Sequence, residues 1–164
     1  MRILFVCTGN TCRSPMAAGI ARAVAAERGL NDVVIESAGA AANPLPAGMP
    51  MPEIGASDGA LLVAMEHGID LGAHRARPLT RDLVSGADLV LAMGERHLAR
   101  VDELGGAGKA FLLTDFASNG ERVRGVADPF GGDLRAYRTT FAELDHEVRR
   151  ALDRLVPSGA GGEG

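Results

Sequence analysis

The sequence predicts an α/β fold: a single doubly wound domain whose four-stranded parallel sheet carries helices on both faces. Three observations predict it. Consecutive apolar runs, such as residues 3–6 and 89–91, read as short strands buried on both faces, as in parallel sheets. Segments with an apolar period of three to four residues separate these runs, so strands and helices alternate. The chain has 164 residues, 46% hydrophobic and 23% charged, which suits one globular domain over residues 1–156 with a disordered Gly-rich tail at 157–164.

The elements follow in order. After the strand at 3–6, Ala17, Ile20, Ala21 and Val24 keep the i, i+3, i+4, i+7 rule of an amphipathic helix. Ser14 is expected at its N-cap, Pro15 at N1 and Gly29 at the C′ position that ends it. A strand over 33–36 then gives β-loop-α-β with a right-handed crossover. Residues 40–58 break the pattern, because Pro44, Pro46, Pro50 and Pro52, with Gly48 and Gly55, forbid a long helix or central strand. Stretches of that length without structure are usually functional or mobile.

Helical periodicity resumes at Ala60 and ends near Gly68. Residues 74–78 read as irregular, and Thr80 caps a short helix to about Val84. The clearest interior strand is 87–93. A helix over 95–104 ends at Gly105-Gly106, and a fourth strand occupies 110–113. Residues 114–127 are polar and glycine-containing, with no element assigned. Leu134, Tyr137, Phe141, Leu144, Val148, Leu152 and Leu155 then mark a long C-terminal helix with one buried face.

Charge and cysteine usage narrow the function. A net charge of -4 without a basic run points away from nucleic acid and membrane surfaces. The apolar N-terminus, broken by Cys7 and Gly9, is too short for a signal sequence, and no run reaches membrane-spanning length. A cytoplasmic location, where thiols stay reduced, is therefore expected. So are a chain without metal or cofactor and a monomer or weak dimer. The two cysteines, Cys7 and Cys12, share one loop and have no nearby histidine, which favours reactive chemistry over stapling or zinc binding.

That loop is Cys7-Thr8-Gly9-Asn10-Thr11-Cys12-Arg13-Ser14-Pro15, set between the first strand and the first helix. A phosphoryl group needs many donors when it loses water, and successive backbone N–H groups ending at a helix N-terminus supply them. Gly9 permits the tight backbone, and Arg13 offers a planar fork for two phosphoryl oxygens. Helix N-termini and cations also stabilise thiolates, which suits Cys7 as nucleophile. Ser14 can hydrogen-bond the sulfur, and Asn10 can hold the loop in shape. Thr8, Thr11, Cys12 and Phe130 complete the expected phosphate- and substrate-binding set. A leaving group needs a proton, and Asp128, held by Pro129, is the candidate acid and later base. These residues point to a cysteine-dependent phosphatase acting on phosphorylated proteins. A non-enzymatic phosphoanion or redox sensor remains the alternative of a different class, although binding alone does not call for the acid. Cys12 stays open between a redox partner of Cys7 and a packing thiol.

The chain resembles the low-molecular-weight protein tyrosine phosphatases. The loop matches their Cys-x-Gly-Asn-x-Cys-Arg-Ser-Pro pattern at every fixed position. Ser37-Ala38-Gly39, the segment from Ala87 to Met93, and Asp128-Pro129 follow in family order. The resemblance implies that Cys7 is the nucleophile, that Arg13 binds the transition state, that Asp128 is the general acid, and that Asn10 and Ser14 support the loop. Thr11 departs from the aliphatic residue usual in the tyrosine phosphatases. Phe130 replaces a tyrosine, and Gly131-Gly132 follows it. In both respects the chain looks like the bacterial protein arginine phosphatases, whose threonine is associated with phosphoarginine selectivity. Arginine phosphatase is the favoured reading and tyrosine phosphatase the alternative.

Overall fold

Ile3, Leu4, Phe5, Val6 and Cys7 leave almost no surface to solvent, and they form the inner part of a central strand, β1 (Arg2–Cys7). The structure, a computed structural model, is described over residues 1–40 and 54–155. Most of the Pro-rich stretch and the expected disordered tail lie outside the described residues. Around β1 run β2 (Val34–Gly39), β3 (Leu89–Ala92) and β4 (Ala110–Leu112), in the order β2-β1-β3-β4 and all parallel. Phe5 pairs with Ser37 on one side and Leu91 on the other.

Because side chains alternate along a strand, β1 feeds two cores. Ile3 and Phe5 join one cluster with Leu89 and Leu91, beneath α1 (Arg13–Glu27), α2 (Asp58–Glu66), α5 (Leu113–Ser118) and α6 (Leu134–Leu155). Leu4 and Val6 join the other with Val90, Val84 and Val101, beneath α3 (Arg81–Gly86) and α4 (Glu95–Val101). The expected doubly wound α/β fold is what the chain adopts. Among the described residues no helix is long and apolar enough to cross a membrane.

Several boundaries differ from expectation. Ser14 is not the N-cap of α1: that position is Cys12, no side chain caps it, and Ser14 and Pro15 are second and third in the helix. The serine hydroxyl is committed to the loop instead, and proline is tolerated anywhere in a first turn whose N–H groups lack intrahelical acceptors. Gly29 closes α1 as expected, with a φ of +67°. β2 runs on to Gly39. The helix after β3 is α-helical only to Val101, and residues 102–106 form a wider turn kinked at Gly105. Over residues 114–127, where the sequence predicts no element, the chain first completes α5, capped by Asn119 in the left-handed region. Leu134 is 38% exposed, so the buried stripe of α6 starts at Tyr137.

Candidate active site

The loop after β1 sits where neighbouring connections leave the sheet in opposite directions, since β2 flanks β1 on one side and β3 on the other. Such a switch point opens a crevice beyond the strand ends. A cavity of about 190 Å³ occupies it, lined by Cys7, Thr8, Gly9, Thr11, Cys12, Arg13, Asp128 and Phe130. Eight of the ten site residues read from the sequence thus meet around one space.

The other two, Asn10 and Ser14, are fully buried beneath it. Asn10 takes a left-handed backbone, with φ of 58°. Its amide donates to Ser14 Oγ at 2.8 Å and to Ser37 Oγ at 2.9 Å, and its Oδ1 accepts the Arg77 N–H at 3.0 Å. Its own carbonyl lies 2.8 Å from His74 Nε2. Ser14 Oγ is then 2.9 Å from Cys7 Sγ, so its proton is free to point at the sulfur once Asn10 fills a lone pair. His74 is held below its ordinary pKa, first by burial. The end of β2 presses against the same loop: a Cβ on Gly39 would sit 2.8 Å from the Thr8 carbonyl oxygen and 3.1 Å from Asn10 N.

Arg13 is only 7% exposed. It donates through Nη1 to the Val126 carbonyl at 2.9 Å and through Nη2 to Thr8 Oγ1 at 3.2 Å, and Nη2 lies 3.5 Å from Asp128 Oδ2. Its Nε is buried with no partner among the described residues, leaving one donor of the guanidinium unpaired. Asp128 accepts the Phe130 N–H at 3.0 Å on Oδ1, a local turn that keeps the carboxylate near Arg13 while leaving it half-exposed. Phe130 is 71% exposed, so its ring stands free at the rim rather than in the core.

The Cys12 thiol lies 3.2 Å from Ser57 Oγ and 3.5 Å from Tyr137 OH. Burial, and then the contact with Cys12, raise the Tyr137 pKa. Both cysteines are free thiols. Ser57 caps α2, and its N–H donates to the Thr11 carbonyl at 2.9 Å, tying that helix to the loop.

Spacing along the chain did not reveal His74, Arg77 or His97. The first two come from the irregular segment before α3 and hold Asn10. His97 comes from α4 and lies 2.7 Å from Thr8 Oγ1. Nothing in the sequence ties them to the loop; the sheet order alone brings them there.

As a whole the geometry offers a sulfur with a hydroxyl aimed at it, a guanidinium fixed on two sides, an uncapped helix N-terminus and a reachable carboxylate. That set suits nucleophilic attack on a bound oxyanion followed by proton transfer.

A family model described as low molecular weight phosphotyrosine protein phosphatase matches residues 2–158. A protein-arginine-phosphatase of Bacillus subtilis (strain 168) is 38% identical, over 94% of this chain and 97% of its own. The low molecular weight protein-tyrosine-phosphatase PtpB of Staphylococcus haemolyticus is 37% identical, over 88% of this chain and 92% of its own. Among solved structures, the YwlE arginine phosphatase carrying a phosphorylated active-site serine in place of cysteine superposes with a TM-score of 0.82 at 36% identity, covering 97% of this chain and 98% of the other.

Proposed function

Because the chain belongs to the low molecular weight phosphotyrosine protein phosphatase family, and is thereby a cysteine-dependent phosphatase, we propose that it hydrolyses phosphoarginine on proteins. The observation that carries the substrate assignment is Thr11 in the cavity wall, supported by the similarity to arginine phosphatases.

In this reading the Cys7 thiolate attacks phosphorus, forming the S–P bond as the P–N bond to the arginine side chain breaks. Asp128 gives its proton to the departing guanidino nitrogen. Water then attacks the phosphocysteine, Asp128 takes a proton back, and the S–P bond breaks to release phosphate and thiolate. Arg13 and the first-turn N–H groups of α1 carry the charge that builds on the phosphoryl oxygens. Ser14 donates to the sulfur as it leaves, and Asn10 keeps Ser14 and the loop in place. The protein works in the cytoplasm as a monomer or weak dimer on phosphorylated protein substrates.

One observation favours the tyrosine alternative: the exposed Phe130 ring at the rim offers a face to an aromatic leaving group. Turnover of matched phosphoarginine and phosphotyrosine peptides by the wild type and by Thr11→Ile decides between them. Phosphoarginine preference in the wild type, moving at least about tenfold toward phosphotyrosine in the variant, is expected, a shift of roughly 1.4 kcal/mol in relative barrier. A wild type that prefers phosphotyrosine, with no change in the variant, overturns the arginine assignment. Cys7→Ser is expected to lose turnover and keep phosphate binding; activity surviving in it would remove the covalent route.

A further inference from the structure

His97 takes part in the site without lining the cavity. It is the third residue of α4 and is 7% exposed. Its Nε2 lies 2.7 Å from Thr8 Oγ1, and Arg13 Nη2 reaches the same oxygen at 3.2 Å. A threonine hydroxyl has two lone pairs and one proton, and an arginine can only donate, so Arg13 takes one lone pair.

Whether the imidazole gives or receives is decided by its other nitrogen. Nδ1 is buried without a partner among the described residues. It lies against Gly94, where an added Cβ would be 3.3 Å away. That is the start of α4, whose first-turn N–H groups have no intrahelical acceptors and make the region positive. A lone pair is favoured there over another N–H, which places the ring proton on Nε2. Burial, and then the Arg13 charge, lower the ring pKa to about 4, so the neutral ring carries a single N–H near neutral pH.

We infer that His97 is a positioning residue for the phosphate loop: His97 Nε2–H and Arg13 Nη2–H fill both lone pairs of Thr8 Oγ1, so the threonine's own proton turns to the cavity as a further donor to the phosphoryl group. The inference deepens the phosphatase reading and rests on it. Thr8 borders the cavity, so its hydroxyl needs only a fixed rotation to reach a bound oxyanion. The helix after β3 thereby helps set the polarity of a hydroxyl that follows β1.

The test is a cycle of His97→Leu, Thr8→Val and the double variant, read with an aryl phosphate and with inorganic phosphate as inhibitor. Each single change is expected to lower kcat/KM roughly tenfold, as for one lost hydrogen bond, and to weaken phosphate inhibition alike. The double variant is expected to be no worse than either single one. His97→Gln, whose amide N–H replaces Nε2–H, should recover most of the loss, whereas a packing role would make Gln and Leu equivalent. Nitrogen-15 NMR of the wild type is expected to show the Nε2-protonated neutral tautomer. Unchanged kcat/KM in His97→Leu, additive losses, failure of Gln to rescue, or an Nδ1-protonated ring each overturn the inference. A wild type without Cys7-dependent turnover instead sinks the phosphatase reading, and the tautomer and phosphate binding still judge His97.

Discussion

Asn10 concentrates the physics of the loop in one side chain. Its left-handed backbone is one that asparagine tolerates better than other residues with a Cβ, and its amide ties together Ser14, Ser37 and the segment carrying Arg77. The two roles separate by substitution. Asn10→Gly keeps the backbone free and removes the bonds, whereas Asn10→Ala removes the bonds and adds strain. Both are expected to lose at least about tenfold in kcat/KM, since the hydroxyl aimed at Cys7 loses its anchor. Urea unfolding should place the alanine variant about 1 kcal/mol below the glycine variant. Equal stabilities would mean that the backbone conformation relaxes at no cost.

At the level of elements, the site depends on how closely β2 approaches the loop that follows β1. Gly39 ends β2 against the backbone of Thr8, Gly9 and Asn10, and an added Cβ would lie 2.8 Å from the nearest atom, which is backbone and cannot rotate away. Gly39→Ala is therefore expected to push the loop aside, lowering kcat/KM by roughly a hundredfold and stability by about 1–3 kcal/mol. A variant with wild-type kinetics would show that β2 yields instead. The contact is also one that no local pattern in the sequence announces. The apolar runs of β1 and β3 and the period of α6 were legible because each element buries a face of its own. The apolar signal of β2 stops at Glu36, because Ser37, Ala38 and Gly39 are small residues that join the strand only through β1 and the loop after it. α5 is hard to read in the sequence because Thr114, Asp115 and Ser118 interrupt its apolar residues Leu113, Phe116 and Ala117 within a stretch of six. Within the site, the loop and Asp128 were legible from chemistry carried in contiguous motifs. His74, Arg77 and His97 were not, because the sheet order brings them in from separate connections.

For the whole molecule, two histidines held neutral by burial link stability to pH. His97 is lowered to about 4 and His74 is lowered too, while histidine in the unfolded chain titrates near 6.5. Below that value the unfolded chain takes protons that the folded one refuses. The stabilisation is therefore full above pH about 6.5 and is lost as pH falls toward 4, by something on the order of 2–3 kcal/mol for His97. Urea midpoints for the wild type and His97→Gln across that window should converge as the pH drops; parallel curves would show that the ring titrates normally. The molecule is also closed over a long span of sequence. Arg13 rests on a carbonyl 113 positions further along, and Cys12 meets a phenol 125 positions further along. Domains are made from the N-terminus onward at a few residues per second or faster. Cys7 and its loop thus leave the ribosome well before Val126, Asp128 and Tyr137. A nascent chain therefore carries Cys7 and its loop before the groups that hold Arg13 and Cys12 from the far side exist, so the order of synthesis itself keeps a complete site out of half-made molecules.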